Sequence, residues 1–236
     1  MTKNLVIIPV FNEATTIKEV LSELCRHYQG DILIIDDGSS DDSIERIRGC
    51  IEKRPITLIS HTSNLGYGAA LIAGFSYAKE RNYQYVVTMD CDWQHQPQHV
   101  PEFFSKIQGF DILSGSRYLH DFPEDTAAPA ERRHVNMSVT EKINLLTNYN
   151  LSDSFCGFKA YRVAALNKLS LDERGYGFPI QFWLQAFAHH LSVQEIAVAR
   201  IYTDAARSFG AKLDDSEYRL NYYNQIIERE RKKWHI

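Results

Sequence analysis

No apolar run in this sequence approaches the roughly 18 residues that a membrane-crossing helix needs. The opening residues, Met1 to Asn4, lack the charged start, long apolar stretch and small-residue cleavage site of a secretory leader. Cysteine is scarce. Cys25, Cys50, Cys91 and Cys156 lie far apart and form no C-x-x-C pair, which argues against a zinc site or a disulfide framework. There is no excess of positive charge: the formal net charge is -4, so no overall basic field draws nucleic acid, and none is expected as a partner. Internal repeats and low-complexity linkers are also missing. These absences leave a globular chain of ordinary composition, 44% hydrophobic and 24% charged. It is expected in the cytoplasm with reduced thiols.

What is present begins with alternation. Leu5 to Ile8 reads as a buried strand, and Ile17, Val20, Leu21 and Leu24 then fall at helical spacing, with Thr15 or Thr16 available as a cap. Ile32 to Ile35 is a second strand. Ser40 opens a second helix that places Ile44, Ile47 and Ile51 on one face. Ile56 to Ile59, a helix from about Leu65 to Lys79, and Tyr85 to Met89 continue the series. Strands alternating with helices predict a mostly parallel sheet covered on both faces. The second half is less regular. Phe110–Gly115, Phe155–Tyr161 and Val193–Ile201 are strand candidates. Helices are expected from about Glu131 to Tyr149, through Gln181–His189, and at the charged C-terminus. Residues 118–130, with Pro123, Pro129 and several acids, read as a mobile loop.

Polar clusters follow three of these strands: Pro9-Val10-Phe11-Asn12-Glu13, Asp36-Asp37-Gly38-Ser39 and Asp90-Cys91-Asp92-Trp93-Gln94. In a parallel sheet, ligands bind beyond the carboxyl ends of the strands. Five acids gathered there would repel one another unless a cation offsets them. Magnesium is commonly held by one or two carboxylates together with substrate phosphates and water. If the strand continues, Asp90, Asp92 and Gln94 face one side. Asp37 reads equally as a turn and cap residue or as a contact to a nucleobase. Asn64-Leu65-Gly66-Tyr67-Gly68 is like a loose phosphate loop without the Lys-Ser/Thr of a P-loop. His95 and His99 read as surface or helix-start residues. Phe178, Phe182, Trp183 and Phe187 read as core, and Trp93 is open to a stacking role.

Together these motifs resemble glycosyltransferase family 2, in particular its dolichyl- or polyprenyl-phosphate sugar transferase branch. Gly115-Ser116-Arg117-Tyr118, Asp153-Ser154-Phe155-Cys156-Gly157-Phe158 and Arg207-Ser208-Phe209-Gly210-Ala211-Lys212-Leu213 complete the series in order, so the likeness spans about residues 4–213. It implies a GT-A fold: an α/β, Rossmann-like, mostly parallel sheet with helices on both faces and an irregular acceptor-side second half. It implies one catalytic domain over residues 1–236, with a nucleotide-binding half to about residue 95, an acceptor-side half over 96–214 and a C-terminal helix over 215–236. By position, Pro9, Val10, Asn12, Glu13, Asp37 and Asp90 would bind the nucleotide. Asp90, Asp92 and Gln94 would hold Mg2+ or Mn2+ and the diphosphate. Arg117, Arg133, Ser138, Arg207 and Lys212 would serve the acceptor or phosphates, and Asp153 would be the catalytic acid residue, acting as base toward a hydroxyl acceptor.

Two departures bear on the acceptor. Ala211 stands where the family usually has serine, and Ser138 is preceded at the usual arginine offset by His134, with Arg132 and Arg133 just before it. The reaction implied is inverting, metal-dependent transfer of a hexose from a GDP- or UDP-sugar. The acceptor would be a polyprenyl or dolichyl phosphate reached at a membrane surface or through a membrane partner protein, or else a soluble hydroxyl. A non-catalytic nucleotide-sugar scaffold and a nucleotidyltransferase are the rival classes. The latter is disfavoured because no Gly-rich basic segment follows the first strand.

Overall fold

The structure is a computed structural model, and it describes residues 3–51, 56–202 and 210–236. The strands are β1 (Asn4–Val10), β2 (Asp31–Asp36), β3 (Ile56–Ser60), β4 (Tyr85–Thr88), β5 (Ile112–Ser116), β6 (Lys159–Arg162) and β7 (Val193–Ala197). They form one sheet in the order β3-β2-β1-β4-β6-β5-β7. Strand β6 alone among these runs antiparallel to its neighbours, β4 and β5. The two halves expected from the sequence thus share a single sheet.

The run Leu5 to Ile8 lacks polar alternation because both of its faces are covered. Leu5 and Ile7 belong to one core cluster, while Val6 and Ile8 belong to the other. Helices α1 (Ile17–His27), α2 (Ser43–Ile51) and α4 (Val100–Lys106) cover one face. Helices α3 (Tyr67–Glu80), α5 (Ala130–Thr147), α6 (Val163–Leu166), α7 (Phe178–Ala188) and α8 (Ser216–Trp234) cover the other. Each fully buried Ile or Leu of these layers contributes ~1.5–3 kcal/mol relative to exposure. Phe178, Phe182 and Trp183 lie in the second core, as their pattern suggests. Among the described residues, no helix is long and apolar enough to cross a membrane.

Several local expectations are corrected. Thr16 stands at the N-cap of α1, but its hydroxyl reaches back to Glu13 instead of forward to a helix N–H. Helix α2 starts at Ser43 rather than Ser40, because Ser39 and Ser40 are engaged by Asn12 across the sheet edge. Strand β6 begins only at Lys159, since Gly157 is drawn under the site described below. Helix α4 and the 3-10 turn before it, Pro97–His99, add an element to the predicted alternation. Residues 118–130 are not a free loop. Thr126 N–H donates to Arg200 O at 2.8 Å, Arg200 N–H to Asp125 Oδ1 at 2.6 Å, and Tyr202 N–H to Thr126 Oγ1 at 2.7 Å.

Candidate active site

Strands β1, β2 and β4 all end at the same edge, and a cavity of about 730 Å³ opens there. Pro9, Val10, Asn12, Glu13, Asp37, Asp90, Asp92, Gln94 and Arg117 all line it, as the motif order predicts. Of the five acids expected to crowd this edge, Asp36 is withdrawn: it is fully buried and absent from the lining.

The first two loops brace each other. Asn12, in a left-handed conformation (φ 56°), donates its N–H to Ser39 Oγ at 2.9 Å and accepts Ser40 N–H on Oδ1 at 2.8 Å. Glu13 N–H donates to Ser43 Oγ at 2.8 Å. Asp37 is neither a simple turn residue nor a helix cap. Its Oδ1 faces His61 Nδ1 at 2.7 Å and accepts Leu65 N–H at 3.0 Å, and its Oδ2 accepts Gly66 N–H at 2.8 Å. It therefore fixes residues 61–66 over the cavity. The glycines of that segment are explained by packing: a Cβ on Gly66 or Gly68 would lie 2.4 Å from Arg174 O or 2.2 Å from Glu173 O.

Asp90 and Asp92 are brought together by a turn, because β4 has ended at Thr88. The strand-alternation argument thus fails, although Asp90, Asp92 and Gln94 all line the cavity. Trp93 takes the left-handed region (φ 66°), and Gln94 N–H donates to Asp92 Oδ1 at 3.0 Å. Trp93 packs against the core instead of lining the cavity, which removes its proposed stacking role. His95 corrects its surface assignment: it is 5% exposed, stacked on Phe158 and part of the lining. Its Nδ1 accepts the Asp90 N–H at 2.8 Å. Burial pushes this imidazole down to about 4, so it is neutral at pH 7, with the proton on Nε2. The Tyr67 hydroxyl hydrogen-bonds to Asp90, and burial together with that carboxylate pushes the phenol well up. Gly157 is tightly confined beside them. A Cβ there would lie 2.8 Å from Tyr67 Oη, 2.9 Å from Asp90 Oδ2 and 3.1 Å from His95 Cε1.

Two hard carboxylates held this way fit Mg2+ or Mn2+. Among the described residues, no group of three His, Cys, Asp or Glu side chains is placed to hold a metal ion. The donor set therefore matches a cation completed by ligand phosphate and water, not an all-protein site.

The lining also has a basic part. Arg117, Arg132 and Arg219 contribute to it, along with Asn136, Tyr202 and Tyr223. Arg117 is held by Asp153, through Nε to Oδ2 at 2.7 Å and Nη2 to Oδ1 at 3.0 Å. Asp153 also accepts from Asn136 Nδ2 at 2.8 Å and Phe155 N at 3.1 Å. Burial alone would raise this carboxyl, but the Arg117 guanidinium and the Asn136 amide outweigh it and hold it at about 2. Fully buried and absent from the cavity lining, Asp153 is badly placed to take a proton from an acceptor. This corrects its reading as a base. Behind it, Glu195 of β7 accepts the N–H of Ser152 at 2.9 Å and that of Asp153 at 3.2 Å.

Other expectations on this part of the lining are also corrected. Arg132, not Arg133, lines the cavity; it shares a helical face with Val135 and Asn136, a spacing visible in the sequence. The Arg133 guanidinium instead lies 3.6 Å from the Tyr118 ring centroid. Ser138 and Lys212 are not among the lining residues, and Lys212 is exposed. Arg207 lies outside the described residues. Tyr67, His95, Asn136, Arg219 and Tyr223 join the site without having been assigned to it. His95, next to the acidic motif, gave a signal. Arg219, in a highly charged helix, gave none.

Residues 5–170 match the profile of glycosyl transferase family 2. The chain belongs to that family. This family 2 chain is 30% identical over 207 residues to polyprenol monophosphomannose synthase of Mycolicibacterium smegmatis, covering 83% of this chain and 76% of that one. It is 27% identical over 209 residues to undecaprenyl-phosphate mannosyltransferase of Micrococcus luteus, covering 86% of each. Glucosyl-3-phosphoglycerate synthase from Mycobacterium tuberculosis, solved with Mn2+, UDP and glucosyl-3-phosphoglycerate, superposes with a TM-score of 0.72. That match covers 97% of this chain and 80% of that chain at 17% identity. The fold is GT-A. The family match ends at residue 170, so Arg219 and Tyr223 reach the cavity from beyond it.

Proposed function

We propose that this family 2 glycosyltransferase moves a hexose, with inversion, from a GDP- or UDP-sugar to an acceptor that is itself a phosphate, a polyprenyl or dolichyl phosphate. The observation that carries this reading is the state of Asp153. A hydroxyl acceptor needs a base, and the carboxylate best matched to that task is buried, fully bonded and held at about 2. A phosphate monoester is already anionic near pH 7 and attacks without deprotonation. The arginines of the lining suit such an acceptor, since guanidinium pairs with phosphate through parallel N–H bonds. The relatives that act on polyprenyl phosphates support the same choice.

In this reading, Pro9, Val10, Asn12 and Glu13 seat the nucleoside beneath the segment that Asp37 secures. Asp90 and Asp92 hold the cation, with Gln94 beside them. Bound Mg2+ or Mn2+ supplies Lewis-acid neutralisation of the diphosphate. Solved proteins of this fold carry Mn2+ or Mg2+ with UDP. Arg117, aimed by Asp153, and Arg132 hold the acceptor phosphate opposite. Residues 1–236 act as one catalytic unit, located in the cytoplasm and meeting its lipid acceptor at the membrane surface. The test supplies labelled GDP-mannose, UDP-glucose and UDP-N-acetylglucosamine with a polyprenyl phosphate and Mn2+, then extracts into organic solvent. Label in the organic phase is expected with one donor. Water-soluble glycoside formed from a hydroxyl acceptor at comparable rate would overturn the phosphate reading.

A further inference from the structure

His95 is held in a single orientation beside the acidic turn. Its ring stacks on Phe158 with centroids 5.2 Å apart, and Phe158 stacks in turn on the fully buried Phe103 at 4.1 Å. Gly157 bounds the ring edge: a Cβ there would lie 3.1 Å from His95 Cε1. The left-handed turn at Trp93 folds the chain back, so that Nδ1 accepts the Asp90 N–H at 2.8 Å. A ring nitrogen that accepts an N–H carries no proton. The ring is therefore the tautomer with its hydrogen on Nε2, and this follows from the hydrogen bond alone.

The Nε2–H has no acceptor among the described residues. It is not one of their sealed, partnerless polar atoms either. His95 is 5% exposed and lines the cavity, so this N–H opens into the cavity. The ring is bonded to the acidic turn, and Asp92, Arg117 and Lys159 are among the charges that bear on it. A group seated at Asp90 and Asp92 therefore lies next to this N–H. A hydrogen-bond donor fixed before the ligand arrives needs no reorganisation when it meets charge that develops there. Being neutral, it adds no positive charge to compete with a cation for the two carboxylates.

We propose that His95 is a ligand-binding residue of the transfer site, its Nε2–H donating to an oxygen of the donor's sugar-diphosphate group. This rests on the glycosyl-transfer reading above. The oxygen belongs to a phosphate or to the sugar, and the experiment separates the two. His95→Asn places an amide oxygen near the position of Nδ1, so it keeps an acceptor for the Asp90 N–H and lacks the outer donor. His95→Gln does the reverse, with an amide nitrogen near the position of Nε2 and no acceptor at Nδ1. Calorimetry measures UDP, GDP, UDP-glucose and GDP-mannose, each with Mn2+ and with a chelator. Ligand-observed NMR follows uridine and guanosine. In His95→Asn, metal-free affinity for the nucleotide-sugar that the wild type binds is expected to fall about fivefold or more, as for loss of one hydrogen bond. The factor by which Mn2+ raises that affinity should stay at the wild-type value, because Asp90 keeps its support. His95→Gln should show the converse: a smaller Mn2+ factor and near wild-type metal-free affinity. A fall shared by the bare nucleotide assigns the bond to a phosphate oxygen. A fall confined to the nucleotide-sugar assigns it to the sugar. Wild-type affinity in His95→Asn, a loss only in the Mn2+ factor, or an equal fall for the nucleoside overturns the inference and leaves the proposed function standing. An equal metal-free loss in His95→Gln does the same. Failure of the wild type to bind any nucleotide overturns both.

Discussion

The guanidinium of Arg117 grips the carboxylate of Asp153 at both oxygens, at 2.7 and 3.0 Å, and only the arginine of the pair lines the cavity. In the proposed function the acid acts through the guanidinium it holds, as a positioning residue. Asp153→Asn is expected to lower transfer on the order of 10²-fold, a typical cost when substrate-positioning groups are misplaced. It should cost roughly 3–5 kcal/mol of stability, because a buried ion pair loses one partner. Arg117→Met should lower transfer to a similar degree. The double variant should be little worse than either single one, as expected for residues acting as a unit. Rates and melting temperatures of the four proteins make the cycle. Strictly additive losses would separate the two residues.

The same pair sets a pH dependence. Asp153 is held at about 2 in the folded chain against an ordinary 3.8, so its folded-state value is depressed. Its contribution to stability is complete above pH 4 and is lost as pH falls toward 2. The amount is on the order of 2 kcal/mol. The gap in melting temperature between wild type and Asp153→Asn should be constant from pH 7 to 5 and shrink between pH 4 and 2. A gap that closes near pH 6 would mean that another group carries the linkage.

Much of this site was legible because its parts are local in sequence. The acidic turn, the Asp36-Asp37 pair and the first loop each follow a strand whose apolar run marks it, and parallel pairing carries all three to one edge. Local patterning fails where partners are distant. Asp153 and Arg117 are 36 positions apart, and nothing in either neighbourhood reveals that the acid is shut away from the cavity while the arginine lines it. His95 was assigned to the surface because a polar residue at a strand end usually lies there. It is buried because the following residues turn inward to stack it on Phe158. Arg219 was hidden in a charged helix whose buried side is decided by contacts with α7 and Phe155.

Asp90 and Asp92 lead to a metal prediction. Asp92→Asn is expected to abolish the increase in nucleotide affinity that Mn2+ or Mg2+ produces, leaving weak metal-independent binding through the nucleoside contacts. Calorimetry of UDP and GDP with Mn2+, Mg2+ or a chelator measures this directly. Equal nucleotide affinity with and without metal in the wild type would remove the cation from the site. Gly157→Ala approaches the same site from the side. Its Cβ would press on Asp90 Oδ2 and Tyr67 Oη, so Asp90 must shift. Overpacking of this kind costs about 1–3 kcal/mol. The metal-dependent part of nucleotide affinity should fall with it, whereas a structural change elsewhere would lower stability alone.

Arg132 and Arg133 are neighbours in sequence with opposite fates, and this makes the sharpest comparison for the proposed acceptor site. Arg132 faces the cavity along with Val135 and Asn136, while Arg133 lies over Tyr118. Arg132→Ala is expected to raise the KM for polyprenyl phosphate about tenfold or more, in line with a lost charged hydrogen bond, and to leave nucleotide affinity unchanged. Arg133→Ala should leave both constants near wild type. It should cost only ~0.5–1 kcal/mol of stability through the lost cation–π contact. Steady-state kinetics with each substrate varied in turn, alongside melting curves, distinguish the two. The opposite result, with Arg133 governing the acceptor constant, would place the phosphate on the outer side of α5 and move the acceptor out of this cavity.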